Sequence, residues 1–153
     1  MGYLSGKTAL VTGASAGIGE QTARALIDAG ARVVCGARRV ERLQSLTDGL
    51  GERSLPLELD VVDPRSVDTM IDRLPKNWRE VDILVNNAGH DIGGRRQFHE
   101  GTADEWSATL QTNVIGLRRV TRVVLAGMLP TASGHIAHIR SGGGLPASHT
   151  CGT

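Results

Sequence analysis

Aromatic residues and cysteines are scarce in this chain. Its 153 residues contain two Trp, one Tyr, one Phe and two Cys. Cys35 and Cys151 are isolated, so there is no disulfide framework to staple a small secreted fold. Cys35 lies in an apolar run and reads as a small core residue. Charge of one sign is missing as well. The net charge of +1 gives no field that would attract nucleic acid or an anionic membrane. No apolar run approaches the ~18 residues of a membrane span. The start, "MGYLSGKTALVTG", has no charged segment followed by a long apolar one, so it does not read as a signal peptide. Gly6 stands where a myristoylation signal carries Ser or Thr. A cytoplasmic setting is the resulting expectation.

Glycine, by contrast, is abundant at 20 residues, which points to tight turns and close backbone contacts. Between the glycines, short apolar runs alternate with helical patterns. Lys7–Thr12 reads as a strand, followed by a helix to about Ala29 with Ile18, Thr22, Ala25, Leu26 and Ala29 on one face. "RVVCGA" is a second strand and "VERLQSLTDGL" a second helix. "SLPLELD" is a third strand, placed at a sheet edge by Pro56. "PRSVDTMIDRL" is a third helix with Pro64 in its first turn. "VDILVNNAG" is a fourth strand, apolar enough to be covered on both faces. Thr102 and Glu105 form a capping box that opens a long helix, which Pro130 closes. "GHIAHI" is a fifth strand. This rhythm predicts an α/β fold, a single domain over residues 1–153 with a doubly wound parallel sheet of the Rossmann type.

The first strand runs into Thr12-Gly13-Ala14-Ser15-Ala16-Gly17-Ile18-Gly19. In such a loop Gly13 allows the turn, Gly17 lets a pyrophosphate approach and Gly19 lets the helix pack on the sheet. The helix N-terminus offers free N–H groups to the anion, and Ser15 can add a hydroxyl. The alternative is a glycine-rich turn without a ligand. At the end of the second strand, where an acid would hold the ribose of NAD, the chain has Ala37-Arg38-Arg39. Two guanidiniums and no carboxylate suit a 2′-phosphate, which favours NADP over NAD. The alternative is a solvated basic start to the second helix.

The spacing Thr12-Gly13-x-x-x-Gly17-Ile18-Gly19, together with Asn86-Asn87-Ala88-Gly89 after the fourth strand, resembles the short-chain dehydrogenase/reductase family. The resemblance runs to Ser141. It implies that Asp60 and Val61 contact the adenine. It implies that Asn86-Asn87-Ala88-Gly89 tie neighbouring strands together and line the cofactor. It also implies an active-site role for Asn113, in a proton relay through a local helix distortion, and for Ser141, which would bind the substrate carbonyl. On the long helix Trp106, Leu110, Asn113, Leu117, Val120 and Val124 share one face, making Asn113 a polar residue in an apolar stripe, with Gly116 a weak point one turn on. A core Asn satisfied by backbone is the other reading. "ARRVERLQSL", "LPKNWREVDILVNNAG" and "GMLP…GHI" look most like the branch that oxidises 3-hydroxy acids and serine-like substrates with NADP.

The implied reaction is hydride transfer between a nicotinamide and a secondary alcohol or carbonyl, on a small hydroxy acid. A homo-oligomer, dimer or tetramer, is implied for the full-length protein. The chain departs from the family near its end. His138 stands where Asn is common, Arg140 precedes Ser141, and Gly142-Gly143-Gly144 follow it. The family's Tyr-x-x-x-Lys motif would start about thirteen residues after Ser141 by family analogy, and the chain ends at Thr153 with Tyr3 as its only tyrosine. About five strands of an expected seven are therefore present. The expectation is a chain truncated relative to the family and inactive by itself. The competing expectation is a non-catalytic nucleotide-binding or interaction protein. Five histidines form no zinc-like spacing, so no metal is expected.

Overall fold

The computed structural model describes residues 2–90 and 97–140. Their centre is a five-stranded parallel sheet. Its strands are β1 (Thr8–Thr12), β2 (Arg32–Ala37), β3 (Ser54–Glu58), β4 (Ile83–Asn86) and β5 (His135–His138), in the order β3-β2-β1-β4-β5. The chain winds from β1 outward to β3, then crosses back to build β4 and β5 on the other side. The order reverses between β1 and β4, where open α/β sheets bind ligands beyond the carboxyl ends of their strands. Pro56 falls on the edge strand β3, where its missing N–H costs no ladder hydrogen bond.

Helices cover both faces, and the alternation along the strands selects which residue meets which layer. Ala9 and Val11 of β1, with Val33 and Cys35 of β2, pack toward α1 (Gly17–Asp28) and α2 (Val40–Leu50) through Ala23, Ile27, Leu43 and Leu46. Leu10, Val34 and Leu84 face the other way. They meet Val67 of α3 (Pro64–Asp68), Met70, and Val120, Val124 and Met128 of α5 (Leu117–Met128). Each fully buried Leu or Val contributes about 1.5–3 kcal/mol relative to exposure.

Three elements differ from their sequence expectation. The α1 face against the sheet is Gly19, Ala23 and Ile27, while Ile18 is 63% exposed. Small residues win that face because the helix lies close to the strands. The third helix stops at Asp68 and continues as turns to Leu74, although Met70 and Leu74 are buried as a helical face would have them. The long helix carries the local distortion that the resemblance implied near Asn113, and it differs from expectation in which face it buries. It runs as α4 (Ala103–Leu110), a wide π-helical segment (Gln111–Gly116) and α5. The capping box of Thr102 and Glu105 opens it as expected. Its last turn tightens over Leu129–Thr131, around Pro130.

Across the π segment the buried positions are Thr109, Gly116, Val120, Val124 and Met128. Leu110 is 58% exposed and Asn113 is exposed, so the expected stripe through Leu110 and Asn113 does not hold. A wide turn holds an extra residue, which moves the buried face upstream by one position. The π segment ends at Gly116, the position read as weak in the sequence. A Cβ there would lie 2.8 Å from Val61 Cγ2 and 2.9 Å from Val61 O, so the absent side chain is what lets the helix reach the β3 exit loop. No described helix is long and apolar enough to cross a membrane.

Candidate functional site

β1 delivers Thr12 and Gly13 to the carboxyl edge of the sheet. Gly13 turns with φ +68°, and a Cβ on it would sit 2.9 Å from Ala88 Cα. A Cβ on Gly19 would meet Gly13 O and Asn87 Nδ2 at 2.4 Å, so loop, helix and β4 exit pack with no room for side chains. At Gly17 the equivalent space is open. Ala16 stands at the N-cap of α1 and makes no side-chain cap. The first N–H groups of the helix are therefore left available to an anion.

A hydroxyl clasps β1 to β4. Thr12 Oγ1 accepts hydrogen bonds from the Asn87 and Ala88 amides, both at 3.0 Å. Asn87 Nδ2 donates back to Thr12 O and Gly13 O at 3.0 and 3.2 Å. Asn86, 3% exposed, donates through Nδ2 to Thr121 Oγ1 and lies 3.2 Å from His138 Nδ1 on β5. Its Oδ1 is a buried polar atom without a partner among the described residues. The strand-tying expected of the Asn86–Gly89 segment is thus visible in its hydrogen bonds.

These elements border a cavity of about 390 Å³. Of the residues singled out in the sequence, Gly13, Ser15, Ala16, Ile18, Arg38, Arg39, Asp60, Val61, Asn87, Ala88 and Gly89 line it. Thr12, Gly17 and Gly19 support the loop from outside that lining. Ala37, Leu59, Val62, His90 and Thr112 also line it. Leu59 and Val62 flank the Asp60-Val61 pair, so their adjacency was the signal for them. Thr112 carried no signal, because its position depends on the π segment.

At the basic end, Ser15 Oγ accepts hydrogen bonds from Arg39 Nε at 3.2 Å and Nη2 at 2.9 Å. Arg38 has no hydrogen-bond or ion-pair partner among the described residues. Asp60 is tied into its own loop, accepting from the Val62 amide at 3.0 Å while its backbone N–H donates to Ser66 Oγ.

Asn113 lies beside the cavity, in the π segment. Its Oδ1 accepts from the His90 amide at 2.8 Å and its Nδ2 donates to His90 O at 2.9 Å. The amide therefore fixes the β4 exit loop through backbone contacts, and it does so from an exposed position. Ser141 lies outside the described residues. Among the described residues no group of three or more His, Cys, Asp or Glu is placed to hold a metal ion.

A parallel sheet, a glycine turn leading into an uncapped helix and a cavity at the switch point define a Rossmann-like nucleotide-binding class of fold. A family model described as short chain dehydrogenase matches residues 7–151. The NADP-dependent 3-hydroxy acid dehydrogenase YdfG of Salmonella typhi is 44% identical over 135 residues, covering 88% of this chain and 54% of that protein. The crystal structure of serine dehydrogenase from Escherichia coli superposes with a TM-score of 0.88 at 40% identity, covering 94% of this chain and 65% of the other. A closed form of serine dehydrogenase complexed with NADP+ gives a TM-score of 0.87 at 40% identity, covering 93% and 57%. The chain belongs to the short chain dehydrogenase family, and within it resembles the 3-hydroxy acid branch. It spans about half the length of the curated relatives it matches.

Proposed function

We propose that residues 1–153 form a single NADP(H)-binding domain of an oxidoreductase that acts on a secondary alcohol or carbonyl, in the class of small hydroxy acids. The observation that carries this reading is the cavity itself. A glycine turn and an uncapped helix end stand at one side of it, and two arginines with no carboxylate close the end of β2. These features fit a dinucleotide bearing a 2′-phosphate. The open space at Gly17 and the free N–H groups of α1 suit the pyrophosphate. Arg38 and Arg39 suit the 2′-phosphate, and Asp60 and Val61 would flank the adenine. Asn87, Ala88 and Gly89 would support the ribose and nicotinamide side of the cavity.

When bound, the cofactor supplies or accepts the hydride. The chain's own residues orient it. Asn113 holds the β4 exit loop at His90, and the π segment around it fits the helix distortion that the resemblance implies for a proton relay. Ser141 is assigned to the substrate oxygen on the resemblance. A homo-oligomer, a cytoplasmic setting, and no nucleic-acid or membrane partner complete the proposal. The near-neutral net charge of +1 supports its last element.

Titrating the polypeptide with NADP(H) and NAD(H) tests the reading. NADP(H) is expected to bind more tightly by about ten-fold or more, and Arg38→Asp to reverse the order. Equal affinities for the two cofactors before and after the substitution would defeat it.

A further inference from the structure

Ser15 and Arg39 are 24 residues apart in sequence, yet both donors on one edge of the guanidinium, Nε and Nη2, point at the same hydroxyl oxygen. Ser15 is 9% exposed, so this acceptor is fixed within the phosphate loop. A guanidinium carries five N–H donors in a planar fork. The side edge is occupied by Ser15, and the end-on pair formed by Nη1 and the second Nη2 hydrogen is left for an anion. The acceptor is also neutral. A carboxylate in its place would hold Arg39 equally well but cancel the charge a phosphate needs.

The neighbouring arginine is different. Arg38 borders both this cavity and an adjoining one shared with Glu58, Asp60 and Asp63, and has no partner among the described residues. One arginine is thus held in place and the other is free.

From this geometry we infer that Ser15 is a positioning residue for cofactor selection. It orders Arg39 so that its free fork meets the 2′-phosphate, and it acts through Arg39 rather than on the pyrophosphate. The inference rests on the NADP reading above. Its energetic logic is that the ordering cost of a long side chain is met before the ligand arrives.

The test is a set of equilibrium titrations with NADP+ and NAD+ as probes. Wild type comes first, because a wild-type chain without NADP+ preference defeats the cofactor reading itself. Given that preference, Ser15→Ala is expected to weaken NADP+ by about ten-fold more than it weakens NAD+. Ser15→Thr keeps the hydroxyl and is expected to restore the preference. In an Arg39→Gln background, Ser15→Ala is expected to add nothing. The inference is overturned if Ser15→Ala weakens both cofactors equally, leaves both unchanged, or still costs NADP+ affinity once Arg39 is gone.

Discussion

Cys35 shows how far one residue's surroundings set its chemistry. It is fully buried on β2 between two helix-covered layers, and burial pushes its thiol up to about 12. The thiolate is the reactive form. In a Cys151→Ser polypeptide at pH 8, thiol reagents are therefore expected to label Cys35 only after denaturant is added. Rapid stoichiometric labelling of the native protein would contradict this. Its place in the core was legible from the apolar run around it. The partner of Ser15 was not, since the pairing with Arg39 depends on how the β1 and β2 exits meet in space. The same holds for Asn113, whose amide found the His90 backbone 23 residues away.

Between elements, Asp82 joins the starts of β1 and β4. Its carboxylate accepts from Lys7 Nζ at 2.8 Å and from the Thr8 amide at 2.9 Å. Partial burial raises its pKa, but those hydrogen bonds and the charges of Lys7 and Arg32 outweigh it, so the carboxyl is held below its usual range. The folded state thus binds the proton less readily than the unfolded chain. Asp82 contributes stability that is fully present above the ordinary carboxylate range and lost as pH falls through the lower, folded value. Asp82→Asn is expected to cost about 1 kcal/mol near neutral pH. The gap to wild type should close on acidification in denaturant titrations, and a gap constant with pH would refute the assignment. The long helix belongs to this scale too. Its cap and length were readable from the capping pair and the periodicity, and the resemblance implied a distortion near Asn113, but not that the wide turn at Gln111–Gly116 would move the buried face off Leu110 and Asn113.

Over the whole molecule, the Thr12 clasp joins the two windings of the sheet at the point where the strand order reverses. Thr12 is 1% exposed and its Oγ1 receives two backbone amides from the β4 exit. Thr12→Val keeps the shape but removes the acceptor, leaving both donors unpaired. A loss of about 1–3 kcal/mol is expected, with Thr12→Ser retaining most of the stability. Urea midpoints of the two variants decide it, and a Thr12→Val midpoint at or above that of Thr12→Ser would refute the role assigned to the hydroxyl.

The sequence by itself determined the parallel α/β order, the edge position of β3, the helix cap at Thr102 and the glycine loop that borders the cavity. Each is written in local signals: period, a proline, a capping pair, a glycine spacing. Only the tertiary structure decided which face of α1 and of the long helix is buried, that Ser15 holds Arg39, and that Asn113 holds the β4 exit. Those outcomes depend on close approach between segments far apart in the chain. Gly116 against Val61 and Gly19 against Gly13 are set by backbone contact, which hydrophobic periodicity along one element cannot encode.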